Sequence, residues 1–288
     1  MNAKFPIAEF IKQSFVQTFA YPMGLAITIG FFIGVTVLAA LLLGLLAVIM
    51  AAILSQTLAM VLTFIGIFFF VFLLIGWTFN FWVRYGAEGR DNVLPAGFKG
   101  SIGPALETGL KLFFISILLG IVAAVMFLIA GIFGIGVSID EFATLAQMSA
   151  ADMIRTMGVV YLLTFGVTCA VYSVFSSNLT KTAMGRADEE IGEPHVGEFA
   201  VVLFSIYVAC YVPLVLIQLV APAIVGAIVE YLMGILLIVV IPVAHGLRYD
   251  WQRQTYAATV ARDPSGTGQE SPFVTSDDEN DDEPNDPR

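Results

Sequence analysis

The feature that most constrains this chain is a set of long apolar stretches that contain almost no charged residues. The longest, from Phe199 to Leu247, holds a single carboxylate, Glu230. A helix that crosses the hydrocarbon core of a bilayer needs about 20 apolar residues. Lipid offers no hydrogen-bond partners to the backbone, so such a stretch must be helical. The stretches also lack the alternation of barrel strands. The sequence therefore predicts an all-α, polytopic transmembrane helical bundle.

Six spans fit into these stretches. The first four are predicted at residues 24–54, 58–83, 112–137 and 158–175, and the long stretch supplies the fifth and the sixth. We divide that stretch near Ala221, Pro222 and Gly226, because proline and glycine interrupt helices. Glu230 follows the division directly, where the tip of a hairpin would keep its carboxylate out of the hydrocarbon.

The distribution of basic residues supports an even number of spans. With six spans, all but one of the 13 lysines and arginines fall on the same side of the membrane, and the exception is Arg155. Cytoplasmic segments carry this excess of basic residues. We therefore predict that both termini are cytoplasmic and that the protein lies in the cell's cytoplasmic membrane.

Three regions are predicted along the chain. In residues 1–20, phenylalanines alternate with lysines and glutamines, which is typical of an interfacial amphipathic segment; a frayed terminus is the alternative. Residues 21–250 form the six-helix transmembrane domain. Residues 251–288 form an acidic, disordered cytoplasmic tail, because Asp263 to Arg288 carry nine acidic residues and one base and cannot bury a core. The acidic tail and the low lysine content suggest a host with a salty cytoplasm.

Small residues in the first span are predicted helix-packing positions. They are Gly30, Gly34 and Gly44, of which the first two form a GxxxG pair. Small residues let neighbouring backbones approach closely. Two interpretations stay open, namely packing against another helix of the same chain and homodimerisation.

Uncharged polar residues within or beside the spans are candidate intramembrane positions. These residues are Asn80, Thr164, Thr168, Gln218 and His245. Such groups could form a polar path or a small-molecule site. Hydrogen bonds between helices, or placement in the interface for Asn80 and His245, would explain them structurally instead.

The sequence lacks the residue sets that catalysis or cofactor binding requires. Its two histidines, His195 and His245, do not adjoin a serine or cysteine motif of nucleophilic catalysis. It has no P-loop, HExxH or dinucleotide fingerprint. Cys169 and Cys210 lie in apolar stretches without metal-site or disulfide spacing. We therefore predict no catalytic residues, no cofactor and no metal, and the lack of a basic patch predicts no nucleic-acid partner.

One segment, at about residues 81–121, resembles a known family. Arg84, the Leu94–Pro95 pair and the run from Gly109 to Lys111 before the third span are similar to a motif of a haloarchaeal multi-pass membrane family, catalogued as domain of unknown function 4013. Residues 96–99 differ from the tryptophan and acidic residues that the family often has after the Leu-Pro pair. The resemblance implies a helical membrane protein and assigns no chemistry.

Three functions follow from these observations. The leading hypothesis is a non-enzymatic membrane component that lies in the lipid bilayer and packs with itself, as a homo-oligomer, or with a membrane-protein partner. The alternative is a small-molecule or ion permease, suggested by six spans and a faint similarity between residues 89–95 and 185–194. An intramembrane enzyme is the third, but the sequence contains no recognisable set of catalytic residues for it. A water-accessible cavity at Gln218 or Thr168 would favour the permease, and hydrogen bonds of these groups between helices would favour packing.

Overall fold

The computed structural model describes residues 4–53, 56–93, 97–133 and 150–262, and the predicted all-α class is confirmed. Within these described residues there is no strand, and seven α-helices follow one another: α1 Ile7–Ala20, α2 Pro22–Ile53, α3 Gln56–Glu88, α4 Gly97–Ile132, α5 Ala150–Met184, α6 Val196–Val220 and α7 Ala223–Arg262. A short 3-10 turn, Arg90–Asn92, follows α3.

Several of these helices are long and apolar enough to cross a membrane. Among the described residues there are five such segments: Val61–Glu88, Gly100–Ile132, Gly158–Met184, Val196–Gln218 and Ile224–Ala261. A sixth is counted if Ile7–Ala20 and Pro22–Gly34, which meet at a bend of 75°, form one span. The chain is therefore a multi-pass membrane protein built as a helical bundle. The side of the membrane on which each terminus lies stays a prediction.

The division of the longest apolar stretch is confirmed. Helix α6 ends at Val220 and α7 begins at Ala223. Between them, Ala221 is in an extended conformation, with φ −95° and ψ 154°, which ends the helix. Since Pro222 has no N–H to continue the helical hydrogen bonds, it follows naturally at this position.

At one end of the bundle, the helices extend beyond the predicted spans. The fourth span was predicted to end at residue 175, yet α5 continues to Met184. Hydropathy falls there because serines and threonines begin, but their hydroxyls return hydrogen bonds to the helix: Thr180 Oγ1 donates to the Ser176 carbonyl at 2.7 Å. Likewise α7 continues to Arg262, so that residues 251–262 are helical and the predicted disordered tail does not begin at 251. Residues 263–288 lie outside the described residues.

This end is called the arginine-rich end; here α3, α5 and α7 finish and α4 and α6 begin. Its described arginines are Arg84, Arg90, Arg186, Arg248, Arg253 and Arg262. Two of them join α3 to the end of α5 and the residues after it. Arg84 Nε donates to the Ala183 carbonyl at 2.9 Å, and Arg186 pairs with Glu88 at 2.8 Å.

Helix α1 and the residues just before it pack onto the arginine-rich end. Phe5 and Phe10 stack with their ring centroids 4.6 Å apart, and Phe5 meets the edge of Trp251 on α7 at 5.1 Å. The opposite face of α1 leaves Val16 and Phe19 exposed. The segment is thus a helix with one face on the bundle, and its placement in the membrane interface stays a prediction.

Helix α3 approaches two neighbours so closely that only glycine fits at the crossings. A Cβ built on Gly76 would lie 1.9 Å from the Ala105 carbonyl oxygen of α4. On the other side, a Cβ built on Gly246 of α7 would lie 2.1 Å from the Val83 carbonyl oxygen. Real Cβ atoms do not come this close to backbone, so these glycines set the distances at which α4 and α7 pack on α3.

The glycines predicted for helix packing have a different environment. A Cβ built on Gly30, Gly34 or Gly44 would meet no described atom within 4 Å. Within the part of the chain that the structure describes, these positions make no close contact with a neighbouring helix. Homodimerisation through them stays an untested prediction.

Candidate functional site

Polar side chains form facing stripes on α5 and α7 at the arginine-rich end. They recur every three or four residues along each helix: Thr168, Tyr172, Ser176 and Thr180 on α5, and His245, Arg248 and Gln252 on α7. This spacing places each set on one face of its helix. The two helices therefore enclose a polar layer between them.

His245 joins the two stripes. It is fully buried, and its Nε2 lies 3.0 Å from the Tyr172 hydroxyl while its Nδ1 lies 2.8 Å from Thr180 Oγ1. Thr180 gives its one hydroxyl hydrogen to the Ser176 carbonyl, so Nδ1–H is the donor to Thr180 and Nε2 accepts from Tyr172. Both ring nitrogens of a neutral imidazole are thereby satisfied, and His245 holds α5 and α7 together.

Arg248 lies one turn beyond His245 and is only partly satisfied. Its side chain is 0% exposed. Nη1 donates to Ser176 Oγ at 2.8 Å, and the guanidinium carbon lies 3.9 Å from the centroid of the Phe199 ring. Nε and Nη2 have no hydrogen-bond partner among the described residues, and no described carboxylate pairs with the side chain. A buried charge without a counter-charge is costly, so Arg248 is the least compensated group of the polar layer.

An apolar cavity of about 490 Å³ adjoins the polar layer. Its polar lining groups are few: Thr168, Cys169, Tyr172 and Tyr207. The rest is hydrocarbon from α3 to α7, which includes Ile75, Leu119, Ala123, Leu203, Leu237 and Ile241. The volume is that of a small-molecule site, and the chemistry of its walls suits a hydrocarbon ligand. Tyr172 lines the cavity and also binds His245, so the polar layer reaches the cavity wall at this residue.

The structure brings two of the five predicted polar positions to this site. Thr168 lines the cavity, and its hydroxyl donates to the Phe165 carbonyl of its own helix at 3.0 Å. His245 lies behind the wall that Tyr172 forms. Tyr172, which the sequence prediction did not include, lines the same cavity as Thr168 and is the hydrogen-bond partner of His245.

The other three predicted positions do not line the cavity. Thr164 and Asn80 are buried, and Thr164 Oγ1 and Asn80 Oδ1 have no hydrogen-bond partner among the described residues. Gln218 lies at the opposite end of the bundle, where its Nε2 donates to Glu230 Oε2 at 3.3 Å. That contact joins α6 to α7 beside the turn between them, so Gln218 takes no part in the polar layer.

Sequence reasoning missed the central groups of the site. Arg248 counted only as a basic residue that follows the last span, and Tyr172 and Ser176 were not singled out. The signal that could have found them is the four-residue spacing from Thr168 to Thr180, which continues a polar face past the end of the hydropathic span.

The segment between α5 and α6 closes the arginine-rich end over the polar layer. Tyr249 donates a hydrogen bond to Glu189, and Gln252 Nε2 donates to the Glu193 carbonyl at 2.5 Å. The pKa of Arg186 is raised, first by its hydrogen bond with Tyr249 and further by the carboxylates of Glu88 and Glu189. Arg186 therefore keeps its charge, and these contacts hold the segment against α7.

A metal centre has no basis in the described residues, which contain no group of three or more potential ligands among His, Cys, Asp and Glu. Comparison with known proteins adds no assignment, since no family model, no curated protein and no solved structure matches the chain. The resemblance of residues 81–121 to a haloarchaeal family therefore stays a prediction.

Proposed function

We propose that this chain is a non-enzymatic multi-pass membrane component that binds a hydrocarbon chain in the cavity between α3 and α7. The observation that carries the proposal is the cavity of about 490 Å³ with its almost entirely apolar lining. Water in such a space would find few polar partners, whereas the tail of a lipid or another apolar chain would match the walls.

The contacts of the polar groups favour binding over catalysis. A nucleophile needs a base within hydrogen-bond reach. In the described residues, both ring nitrogens of His245 are hydrogen-bonded, to Tyr172 and to Thr180, and Ser176 Oγ donates to the Ser173 carbonyl. Cys169 lines the cavity as a buried free thiol. These contacts are those of a polar layer that holds helices together.

The permease alternative draws on the fact that the cavity reaches Thr168. Two features favour binding instead. Tyr172 on the cavity wall is hydrogen-bonded to His245, and Gln218, the other group expected on a transport path, bonds to Glu230 outside the cavity. The proposed location is the cytoplasmic membrane with the arginine-rich end inside, supported by the clustering of basic residues on that side.

Self-association through α2 is a second candidate function. A Cβ built on Gly30, Gly34 or Gly44 would meet no described atom within 4 Å, and Val37 and Leu45 on the same helix are more than half exposed. A second copy of the chain could pack closely against this part of α2 within the bilayer. Light scattering of Gly34→Leu beside the wild-type protein, in neutral detergent, tests it: loss of a dimer supports self-association, and an unchanged monomeric mass contradicts it.

Binding of a hydrocarbon chain is tested by filling the cavity. Gly120 on α4 lines the cavity and has room for a side chain, so Gly120→Leu should occupy the space of the ligand. Gly103→Leu on the same helix is the matched control, because Gly103 is exposed and does not line the cavity. The measurement is fluorescence titration of the delipidated protein with a pyrene-labelled acyl chain.

We expect the wild-type protein and Gly103→Leu to bind the probe alike, and Gly120→Leu to bind it at least about tenfold more weakly, since a filled cavity excludes the chain. Equal binding by all three proteins would place the probe elsewhere on the apolar surface and would overturn the proposal.

A further inference from the structure

We infer that the ligand of this cavity is an anionic amphiphile, whose chain fills the cavity and whose carboxylate or phosphate group pairs with Arg248. The inference rests on the proposed function and names the chemical class of its ligand. It starts from the unpaired edge of a buried guanidinium.

The two unpaired nitrogens of Arg248 form a ready-made site for an anion. Nη1 is occupied by Ser176 Oγ at 2.8 Å. Nε and Nη2, which have no partner among the described residues, share one edge of the planar guanidinium. Two parallel N–H donors on such an edge match the two oxygens of a carboxylate or a phosphate. The free edge therefore has the geometry of bidentate anion binding.

The burial of Arg248 also favours an anionic partner on energetic grounds. The side chain is 0% exposed, so water does not screen its charge. Phe199 offers the face of its ring at 3.9 Å, which contributes a cation–π interaction but no counter-charge. Gln252, one turn further along α7, has an unpartnered Oε1 that is also buried, and an amide oxygen is uncharged. Among the described residues, no anionic group pairs with the Arg248 side chain.

The position of Arg248 relative to the cavity defines the shape of the ligand. Tyr172 lines the cavity, and Ser176, which holds Arg248, follows it by one turn of α5, a rise of about 6 Å. Arg248 is therefore held one turn of α5 beyond the wall that Tyr172 forms. A ligand that reaches both must carry its anion at the arginine-rich end and its chain towards the middle of the bilayer, as a lipid of that leaflet does. Its head group reaches Arg248 when the Tyr172 side chain swings aside from His245.

The test compares ligands that differ only in their head group, in competition with the pyrene-labelled chain on the delipidated full chain. The probes with a chain are oleate, oleyl alcohol and a single-chain lysophosphatidate; acetate and inorganic phosphate represent the head groups alone. We expect oleate and lysophosphatidate to compete at least about tenfold more strongly than oleyl alcohol, because hydrogen bonds to a charged partner are among the stronger ones. Acetate and inorganic phosphate should not compete.

Variants assign this preference to Arg248. Arg248→Gln should remove the preference for the anionic probes and leave the affinity for oleyl alcohol unchanged. Arg253→Gln is the control, since Arg253 is an exposed arginine on the same helix, and it should bind as the wild-type protein does. If Arg248→Gln does not fold, Arg248→Lys serves instead; it keeps the charge but lacks the paired donors, so it should bind oleate several-fold more weakly.

The outcomes separate this inference from the proposed function. If oleyl alcohol binds the wild-type protein as tightly as oleate does, or if Arg248→Gln keeps the anion preference, the inference fails while binding of a hydrocarbon chain stands. Competition by inorganic phosphate alone would identify a free-anion site and would also overturn the amphiphile. If no probe with a chain binds, the proposed function itself fails.

Discussion

The arginine-rich end of the bundle and the opposite end are built in different ways. On α7, Val240 and Val243 near the arginine-rich end are fully buried, whereas Ile224 at the other end is 75% exposed. On α6, Leu203 is 1% exposed and Leu216 is 58% exposed. The same helices therefore change from packed to open along their length.

This difference indicates which part of the bundle determines how the helices pack. In lipid an exposed apolar side chain costs nothing, so helices associate through close packing and polar contacts rather than through the hydrophobic effect. The arginine-rich end has both: Gly246 brings α7 against α3, and His245 bonds α7 to α5. The described apolar surface at the opposite end is available to contact lipid or a partner protein.

The largest expected effect comes from breaking the close crossing of α3 and α7. Gly246→Leu places a side chain where a Cβ alone would lie 2.1 Å from the Val83 carbonyl oxygen, so we expect the free energy of unfolding to fall by about 3 kcal/mol. Gly103→Leu, at an exposed position where no described atom lies within 4 Å of a built Cβ, should change it by less than about 0.5 kcal/mol. Thermal unfolding of both variants in the same detergent measures this contrast. Equal losses would contradict the packing described for α3 and α7.

A second comparison uses one residue type at both ends of one helix. Leu203→Ala removes a fully buried side chain from α6 and should lower the free energy of unfolding by about 2 kcal/mol or more. Leu216→Ala removes an exposed side chain of the same helix and should have little effect. Detergent unfolding curves report both values. A loss at Leu216 as large as that at Leu203 would show that the opposite end is also packed, for example against a second copy.

A third comparison concerns the unpaired charge. In delipidated protein, Arg248→Met should raise the free energy of unfolding by about 1 kcal/mol, because it removes a buried charge that no described carboxylate pairs with and keeps an unbranched chain against Phe199. Arg253→Met, at an exposed position, should leave the stability unchanged. The same unfolding assay applies. A large loss of stability in Arg248→Met would mean that its contacts with Ser176 and Phe199 outweigh the cost of burying the charge.

The smallest expected effect is at the predicted position Gln218. Its contact with Glu230 is long, at 3.3 Å, and exposed, so Gln218→Leu should change the free energy of unfolding by less than about 0.5 kcal/mol. Thr180→Val, which removes the partner of His245 Nδ1, should cost about 1 to 3 kcal/mol, because it leaves a buried donor unsatisfied. A larger effect at Gln218 than at Thr180 would reverse the comparison of the two ends.

Much of the fold could be predicted from the sequence, because hydropathy reports which residues tolerate lipid. The helical class follows from it, and so does the division near Ala221 and Pro222, since proline and an extended residue interrupt the helix. The ends of the helices at the arginine-rich end could not be read in this way. Ser176 and Thr180 are polar, yet they continue α5 because they bond to its carbonyls and to α7.

The candidate site was harder to predict than the fold. Thr168 and His245 were recognised as polar groups in or beside spans, but the bond from His245 to Tyr172 on the cavity wall depends on how α5 and α7 face one another. The glycine positions illustrate the same limit: Gly30 and Gly34 have the GxxxG spacing, whereas the close approaches occur at Gly76 and Gly246. The sequence shows which residues are small enough for a close contact. Which of them make that contact depends on where the helices cross.

The most direct test is to determine on which side of the membrane each end of the bundle lies. In a background in which Cys169 and Cys210 are replaced by alanine, single cysteines at Glu190 and Glu230, which are exposed at the arginine-rich end and the opposite end respectively, would be treated with an impermeant thiol reagent on intact cells. We expect Glu230→Cys to react from outside and Glu190→Cys to react only after the membrane is opened. Reaction of both positions from the same side would contradict this prediction.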